Sequence, residues 1–240
     1  MKKAIGYVYV IAAAVCWGFL GLFNRVLTAA GVSLLNMMPL RFGGTAILFT
    51  VFCMMFKQQV FHIKLRHLPI FLGSGLISML LVLCGCALVS GIVGSDVGIS
   101  LEGLLMGLAS ELCYTIFTHY GMRYCDSFTM AYWTFLIAGI ASLFLADGPA
   151  LLSALAEPRT GLAALGLMVM GTALPFTLYT KGLETVESGK AAIIANIEPV
   201  MSAVIGVTVF QETLGLWTLV GIVLVLSGVV VLACEKEPDK

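Results

Sequence analysis

Long apolar runs are the feature that most constrains this chain. Eight runs of about 19 to 27 residues follow one another, separated by polar breaks that are mostly short. About 20 helical residues, each rising about 1.5 Å, cross the ~30 Å hydrocarbon core of a bilayer. The sequence therefore predicts an all-α polytopic membrane helix bundle of about eight transmembrane helices. The runs are 5–30, 34–56, 68–94, 102–122, 128–146, 161–181, 189–210 and 214–234.

Composition and short motifs exclude several other classes of protein. Hydrophobic residues make up 60% of the chain and charged residues 11%, which is not the balance of a soluble domain. The formal net charge is zero, so we expect no nucleic-acid partner. The seven cysteines form no CxxC pair, and HExxH, GxSxG and P-loop patterns are missing from the sequence. We therefore predict no metal, no cofactor and no enzyme activity.

The basic residues predict the orientation in the membrane. If the eight runs alternate in direction, ten Lys and Arg residues fall on one side and only Arg159 falls in a loop on the other side. Arg25 and Arg41 lie within runs. Because cytoplasmic loops carry an excess of Lys and Arg, both termini are predicted to be cytoplasmic. The chain is predicted to be a multi-pass protein of the inner or plasma membrane.

The seventh run carries an acidic residue near the middle of the bilayer. Among the twenty residues between Lys190 and Gln211, the polar ones are Asn196, Glu198, Ser202 and Thr208. Glu198 lies about 12 Å from Lys190 along a helix, where a charge costs roughly 2.5–3.5 kcal/mol. A carboxylate at that depth needs a partner, a proton or a water-filled cavity. Glu198 and Asn196 are therefore candidate substrate-binding residues.

Pro199 directly follows Glu198 and predicts an interruption of the helix. Proline has no N–H for the carbonyl of Ala195, and its ring crowds that carbonyl, so Pro199 is a candidate hinge. Small and polar residues also recur at helical spacing, which gives one stripe that could simply let helices pack closely. The stripe consists of Ser188, Ala191, Ala195, Glu198, Ser202 and Gly206.

Further residues could line a substrate cavity, and each has a structural alternative. Glu111 is the second carboxylate inside a run, but it could instead hydrogen-bond a neighbouring helix. Arg41 could meet an anionic group or extend its side chain towards the membrane surface. The aromatic side chains could equally belong to helix packing or to the interfacial belt. The aromatic candidates are Trp17, Tyr114 and Tyr179.

Two segments look like copies of one repeat. VIAAAVCWGFLGLFNRVL near the start parallels GLASELCYTIFTHYGMRY from Gly107, with an aromatic residue near the centre and an arginine towards the end of each. The runs that follow also match loosely, MPLRFGGTAILFTVF with MAYWTFLIAGIASLF. Weak internal repeats of this kind are typical of membrane transporters.

At this point the chain resembles the EamA family of the drug/metabolite transporter superfamily. The residues that carry the resemblance are WG at Trp17, LRF around Arg41, GTALPFTLYTKGLETVESGKAAIIANIEPV (171–200) and VFQETLGLWTLVGIVLVLSGVVVL (209–232). The resemblance implies ten helices as two inverted five-helix repeats. It assigns residues 102–234 to a complete second repeat. Residues 1–94 form an incomplete first repeat, with about two helices missing near Leu80–Leu83.

The sequence thus supports two hypotheses of different kinds. The first is a secondary transporter that exports a small metabolite, with proton coupling as one form of energy input. The second is a shortened relative that does not transport, or that needs a second copy, as a homodimer, to complete its cavity. An intramembrane enzyme is a third interpretation, which would need a reactive Ser or Cys.

Overall fold

The computed structural model of this chain describes residues 2–61, 63, 65–77, 79–81, 84, 101–121 and 123–234. These residues are almost entirely helical, and the described ranges contain no β-strand. The α-helices are α1 (Lys2–Gly18), α2 (Leu20–Ala29), α3 (Leu34–Met38), α4 (Thr45–Phe56), α5 (Leu68–Leu72), α6 (Leu101–Gly121), α7 (Ser127–Leu143), α8 (Gly148–Leu155), α9 (Pro158–Met168), α10 (Leu174–Leu183), α11 (Ser188–Ala195), α12 (Ile197–Phe210) and α13 (Leu216–Cys234).

Helices occupy the predicted apolar runs wherever the chain is described, which confirms a polytopic helical bundle. Among the described residues, four segments are long and apolar enough to cross a membrane, and α7 with α8 would make a fifth if counted as one bent span. The third run is described only in part, so the predicted junction near Leu80–Leu83 lies partly outside the described residues. The four segments are Ala4–Ala29, Leu34–Phe56, Pro158–Leu183 and Ser188–Phe210.

Several helical segments contain wider, π-helical turns, at Pro39–Gly44, Gly73–Ile77 and Val169–Ala173. The last of these joins α9 to α10 and ends two residues before Pro175. Pro175 has no N–H for the carbonyl of Gly171, so the regular hydrogen-bond ladder cannot continue through this point. Short 3₁₀ turns, Gln58–Phe61 and Leu65–His67, lie between α4 and α5.

The helix that contains Pro199 is interrupted at Asn196, one turn before the proline. The Asn196 N–H donates to the carbonyl of Ile193, 3.2 Å away, in a 3₁₀-type bond. A new helix then begins at Ile197, which places Pro199 in its first turn. Backbone N–H groups there have no intrahelical acceptor, so the missing donor of proline removes no hydrogen bond.

The chain divides into two compact units. Unit 1 consists of Met1–Met37 with Gly148–Lys240. In it, α1 and α10 approach backbone to backbone, because a Cβ on Gly182 would lie 3.0 Å from the carbonyl oxygen of Gly6 and 2.5 Å from the side chain of Val10. The buried cluster beside this contact is Val10, Val186, Ala191 and Ile194, against which Tyr7, Tyr179, Leu183 and Ile197 pack.

Unit 2 consists of Met38–Asp147, and α7 is its central helix. A Cβ on Gly139 would lie 2.7 Å from the Cα of Gly43, so the two backbones are in contact there. The buried hydroxyls of Ser74 and Thr134 share a 2.7 Å hydrogen bond. The predicted repeats, 1–94 and 102–234, concern internal symmetry rather than this spatial grouping, and they stay a prediction.

Candidate functional site

The candidate site lies in unit 1, and its aromatic side is formed by α1 and α10. The ring centroids of Trp17 and Tyr179 are 5.3 Å apart. Phe176 meets Trp17 edge to face, also at 5.3 Å between centroids. The structure thus brings together two residues that the sequence had singled out separately. It adds Phe176, which the i, i+3 spacing to Tyr179 on one helix face could have indicated.

The contact between α1 and α12 is made through glycine and serine. A Cβ on Gly18 would lie 2.4 Å from the Cβ of Met201, so the helices touch with almost no side chain between them. Ser202 Oγ donates a hydrogen bond to the carbonyl oxygen of Gly18, 3.1 Å away. Gly18 is the last residue of α1, so Ser202 satisfies a carbonyl at the helix end. This contact agrees with the packing interpretation of Ser202.

Glu198 lies in the first turn of α12 and is half-buried. It precedes Ser202 by four residues, so both lie on the same face of α12, the face that contacts α1 at Gly18. The N-terminus of a helix carries a partial positive charge, which favours a carboxylate by roughly 0.3–1 kcal/mol or more in partly buried geometry. The restart of the helix at Ile197 therefore supplies part of the compensation that a carboxylate at this depth needs.

Asn196 lies at the helix interruption itself and is exposed. Its side-chain amide donates to the carbonyl of Ala192, 3.2 Å away. That bond satisfies one of the carbonyls at the end of α11, which the interruption releases from the helical ladder. In this arrangement Asn196 stabilises the interruption beside Glu198.

An ion pair that the sequence analysis missed joins α2 to the segment that follows α12. Arg25 donates a hydrogen bond to the carboxylate of Glu212, and its guanidinium lies 4.7 Å from the centroid of the Phe210 ring. Gln211, between Phe210 and Glu212, adopts the left-handed conformation, with φ of 55°. The signal was present, because an arginine inside an apolar run calls for a partner. The partner, Glu212, is 187 residues away in the sequence, so the sequence alone did not identify it.

Three predicted site residues belong to unit 2 rather than unit 1. Arg41 is half-buried in the π-helical turn Pro39–Gly44, with its guanidinium 5.6 Å from the centroid of the Phe42 ring. Glu111 and Tyr114 lie on α6, and their side chains are outside the described part of the chain. The roles of all three residues in substrate binding stay predictions.

The described side chains do not form a metal centre. Within that part of the chain, no three His, Cys, Asp or Glu residues come together in a way that could hold a metal ion. The ionisable groups of the site in unit 1 are instead spread along α12, with Glu198 in its first turn and Glu212 just beyond its end.

Comparison with known proteins identifies the family. The model of the EamA-like transporter family matches residues 101–234, more than half of the chain. The chain belongs to the EamA-like transporter family. The matched residues are those of the predicted second repeat, α6 to α13, and they include both the aromatic residues of α10 and Glu198. The resemblance drawn from the sequence motifs is therefore confirmed, and the chain is a multi-pass membrane protein.

Three curated relatives carry transporter or resistance names. An uncharacterized transporter of Archaeoglobus fulgidus is 41% identical over 68 residues, which is 28% of this chain and 25% of that protein. The uncharacterized inner membrane transporter YicL of Salmonella typhimurium is 28% identical over 151 residues, 60% of this chain and 48% of that protein. The multidrug resistance protein EbrB of Bacillus atrophaeus is 32% identical over 87 residues, 36% of this chain and 74% of that protein.

The matches to the first two relatives thus cover less than half of each relative's own length. No solved structure matches the chain. The family assignment consequently rests on residues 101–234 and on the helical architecture, and it favours a transporter over an enzyme.

Proposed function

We propose that this protein is a secondary transporter that exports a small metabolite across the inner or plasma membrane, with both termini in the cytoplasm. The observation that carries the proposal is Glu198, half-buried in the first turn of a helix that restarts inside an apolar span. Helix N-termini at membrane depth favour anionic groups, and here the anionic group is the carboxylate of Glu198 itself. The inner-membrane location of YicL supports the same location for this chain.

In the proposed mechanism, Glu198 binds either a proton or a cationic group of the substrate. The two would compete for one carboxylate, so release of one is linked to uptake of the other. Trp17, Phe176 and Tyr179 offer an apolar and aromatic surface on the neighbouring helices of unit 1. The interruption at Asn196, with Pro199 after it, is the proposed hinge about which α12 moves relative to α11.

The test is a comparison of metabolites released by cells that express the wild type, Glu198→Gln, or the control Glu184→Gln. Glu184 is exposed in the turn after α10, so the control removes the same charge from the same unit without touching α12. Amounts in the membrane are matched before release is measured. The most enriched metabolite is then assayed in vesicles under an imposed pH gradient.

We expect Glu198→Gln to lower export at least about tenfold and to abolish its dependence on the pH gradient, while Glu184→Gln exports normally. A factor of ten corresponds to about 1.4 kcal/mol, close to the lower end of the about 1.5–3 kcal/mol that a hydrogen bond to a charged group contributes. Unchanged export and pH dependence in Glu198→Gln would show that Glu198 has no part in transport.

A second arrangement is a pair of copies that share one cavity. It is favoured by the match to EbrB, in which 87 residues of this chain cover 74% of that protein. That relative is therefore about half as long as this chain, which leaves room for only about four membrane spans. Chemical crosslinking in the native membrane, followed by release assays on a covalently linked tandem of two copies, would distinguish a working pair from a monomer.

A further inference from the structure

A cluster of basic and aromatic side chains lies at one end of unit 2, where α6 ends and α5 begins. We call it the basic–aromatic cluster, and it consists of Arg66, His67, Tyr120, Arg123 and Tyr124. Arg66 and His67 belong to the 3₁₀ turn that leads into α5, and Tyr120 lies in the last turn of α6. Both arginines and both tyrosines are exposed. The proposed transport mechanism uses none of these residues.

The aromatic rings hold the cluster in a defined geometry. The Tyr124 and Tyr120 rings are 5.5 Å apart, and the hydroxyl of Tyr124 donates to that of Tyr120 over 3.1 Å. The His67 ring packs on Tyr124 at 4.5 Å between centroids, and the Arg123 guanidinium lies 5.7 Å from the centroid of Tyr120. Two segments far apart in sequence are thereby joined into one surface.

The hydroxyl groups are arranged as donors. The hydrogen bond to Tyr120 raises the pKa of Tyr124 above its ordinary value, although the nearby charges of Arg123 and Arg66 lower it. Tyr124 therefore keeps its proton at neutral pH. Tyr120 accepts that bond with its oxygen, so its own O–H can donate to a further acceptor.

The charges of the two arginines are not balanced by the nearby sequence. The stretches 57–67 and 120–126 contain four Lys or Arg residues and one carboxylate, Asp126. That carboxylate accepts a hydrogen bond from Lys57 at 2.8 Å. The two stretches hold no other acidic residue that could neutralise Arg66 or Arg123. An anion from outside the chain would meet the Arg123 guanidinium beside Tyr120, with Arg66 next in sequence to His67, whose ring packs on Tyr124.

We propose that the basic–aromatic cluster binds the phosphate group of an anionic phospholipid. Guanidinium groups bind phosphate oxygens through paired, charge-assisted hydrogen bonds, and tyrosines are enriched at the level of the lipid headgroups. The cluster lies at the end of α6, which occupies the predicted membrane run 102–122, so it is at the height where headgroups are found. That position favours a lipid over a dissolved anion.

The test measures how lipids and free phosphate bind to the purified, full-length protein in detergent. Phosphatidylglycerol, phosphatidylcholine and inorganic phosphate are titrated separately, and bound lipid is counted by native mass spectrometry. The variants are Arg123→Gln, the double variant Arg66→Gln with Arg123→Gln, and Tyr120→Phe. The matched control is Arg159→Gln, which removes an exposed arginine from the start of α9 in unit 1.

We expect phosphatidylglycerol to bind the wild type, with affinity falling about fivefold for each arginine removed, since each contributes about that factor near an anionic surface. Tyr120→Phe should weaken binding by a smaller factor, while Arg159→Gln binds as the wild type does. Arg123→Lys, which keeps the charge but loses the paired guanidinium hydrogen bonds, should bind with an affinity between those of the wild type and Arg123→Gln.

Three results would overturn the proposal. Equal retention of phosphatidylcholine and phosphatidylglycerol would show that the headgroup charge is not recognised. Saturation by inorganic phosphate with no preference for the lipid would make the ligand a dissolved anion. Equal losses in Arg159→Gln and Arg123→Gln would show that total charge, not this cluster, governs binding.

Discussion

The two compact units hold their helices together in different ways. In unit 2, side chains of α7 hydrogen-bond directly to neighbouring elements, as buried Thr134 does with Ser74 and as half-buried Trp133 does through Nε1 with the carbonyl of Val60 at 2.9 Å. In unit 1, two of the apolar spans are interrupted near their middles, at Phe19 and at Asn196. These two spans meet where Gly18 packs against α12, and Ser202 donates a hydrogen bond to the carbonyl of Gly18.

Both units contain irregular helical turns, since Pro39–Gly44 and Gly73–Ile77 of unit 2 are π-helical, but the breaks at Phe19 and Asn196, where one helix ends and the next begins within a span, lie in unit 1. A side-chain hydrogen bond between transmembrane helices is worth about 0.6 kcal/mol on average and up to about 1.7 kcal/mol. Unit 2 accumulates several such bonds around α7, whereas unit 1 places its half-buried carboxylate next to an interruption. We infer that unit 2 is the scaffold and that motion during transport is concentrated in unit 1.

Among the substitutions that test this contrast between the units, the largest loss of stability should come from filling the glycine contact of unit 2. Gly139→Ala places a Cβ 2.7 Å from the Cα of Gly43, and a backbone atom cannot turn aside as a side chain does. We expect a loss of about 1–3 kcal/mol in the free energy of unfolding. Reversible unfolding in mixed detergent micelles would measure this loss.

The control for that substitution is Gly228→Ala on α13. An added Cβ there meets nothing within 4 Å among the described residues, so the change should be neutral or should stabilise the helix by about 0.5–1 kcal/mol. If Gly139→Ala proved as well tolerated as Gly228→Ala, the helices of unit 2 would be free to separate, and the unit would not be a rigid scaffold.

A smaller effect on stability, but a clear one on transport, should follow from Pro199→Ala. The alanine restores an N–H donor and removes the ring that crowds Ala195, so α11 and α12 can join into one regular helix. We expect stability to change by less than about 1 kcal/mol, since Pro199 lies in a first turn where its missing donor is tolerated. Export should fall about tenfold because the interruption is lost.

Amide hydrogen exchange around Asn196 would follow this change directly. Slower exchange at residues 195–198 in Pro199→Ala, together with reduced export, would support the hinge. Slower exchange with undiminished export would show that the interruption at Asn196 is not needed for export. The contrast between the two units would then have no bearing on transport.

The smallest effect should be the contribution of the Lys57–Asp126 pair in unit 2 to the dependence of folding stability on pH. Partial burial raises the pKa of Asp126. Hydrogen bonds from Lys57 and Thr129 and the charge of Lys57 lower this pKa by more than burial raises it, so the net shift is downward. A carboxyl with a lowered folded-state pKa stabilises the protein above its unfolded value of about 3.9. That contribution is lost as the pH falls through the folded value.

For such a largely exposed pair we expect about 0.2–1 kcal/mol. The measurement is the thermal midpoint between pH 6 and pH 3, compared in wild type, Asp126→Asn and Lys57→Met. Both variants should flatten the acid side of the profile, and a wild-type profile that they leave unaltered would show that the pair contributes nothing.

Sequence reasoning located the helices well because the signal is local. An apolar run of about 20 residues must be a helix in a bilayer, whatever its neighbours are. The interruption near Pro199 was accessible for the same reason, since the missing N–H and the ring clash act within one turn. The interruption lies at Asn196 rather than at Pro199 because the proline ring crowds the carbonyl of Ala195, about one turn earlier.

The neighbours of each helix could not be predicted in this way. Lipid and protein interior are both apolar, so the side that packs inward leaves little mark on the hydrophobic pattern. The pairing of Arg25 with Glu212, and of Gly18 with Ser202, depends on which helices lie together. The grouping of residues 1–37 with 148–240 was hidden for that reason too.

The depth of Glu198 also has an electrical consequence. In the span predicted from the sequence, Glu198 lies about 12 Å from the Lys190 end of a core of about 30 Å, so a cation that reached it from that end would have crossed about two fifths of the membrane field. At 100 mV a full crossing is worth about 2.3 kcal/mol, and this fraction is worth about 0.9 kcal/mol. In the proposed mechanism, occupancy of the carboxylate by a proton would therefore change about fivefold with a voltage of that size, and the membrane potential would be an input to the proposed cycle.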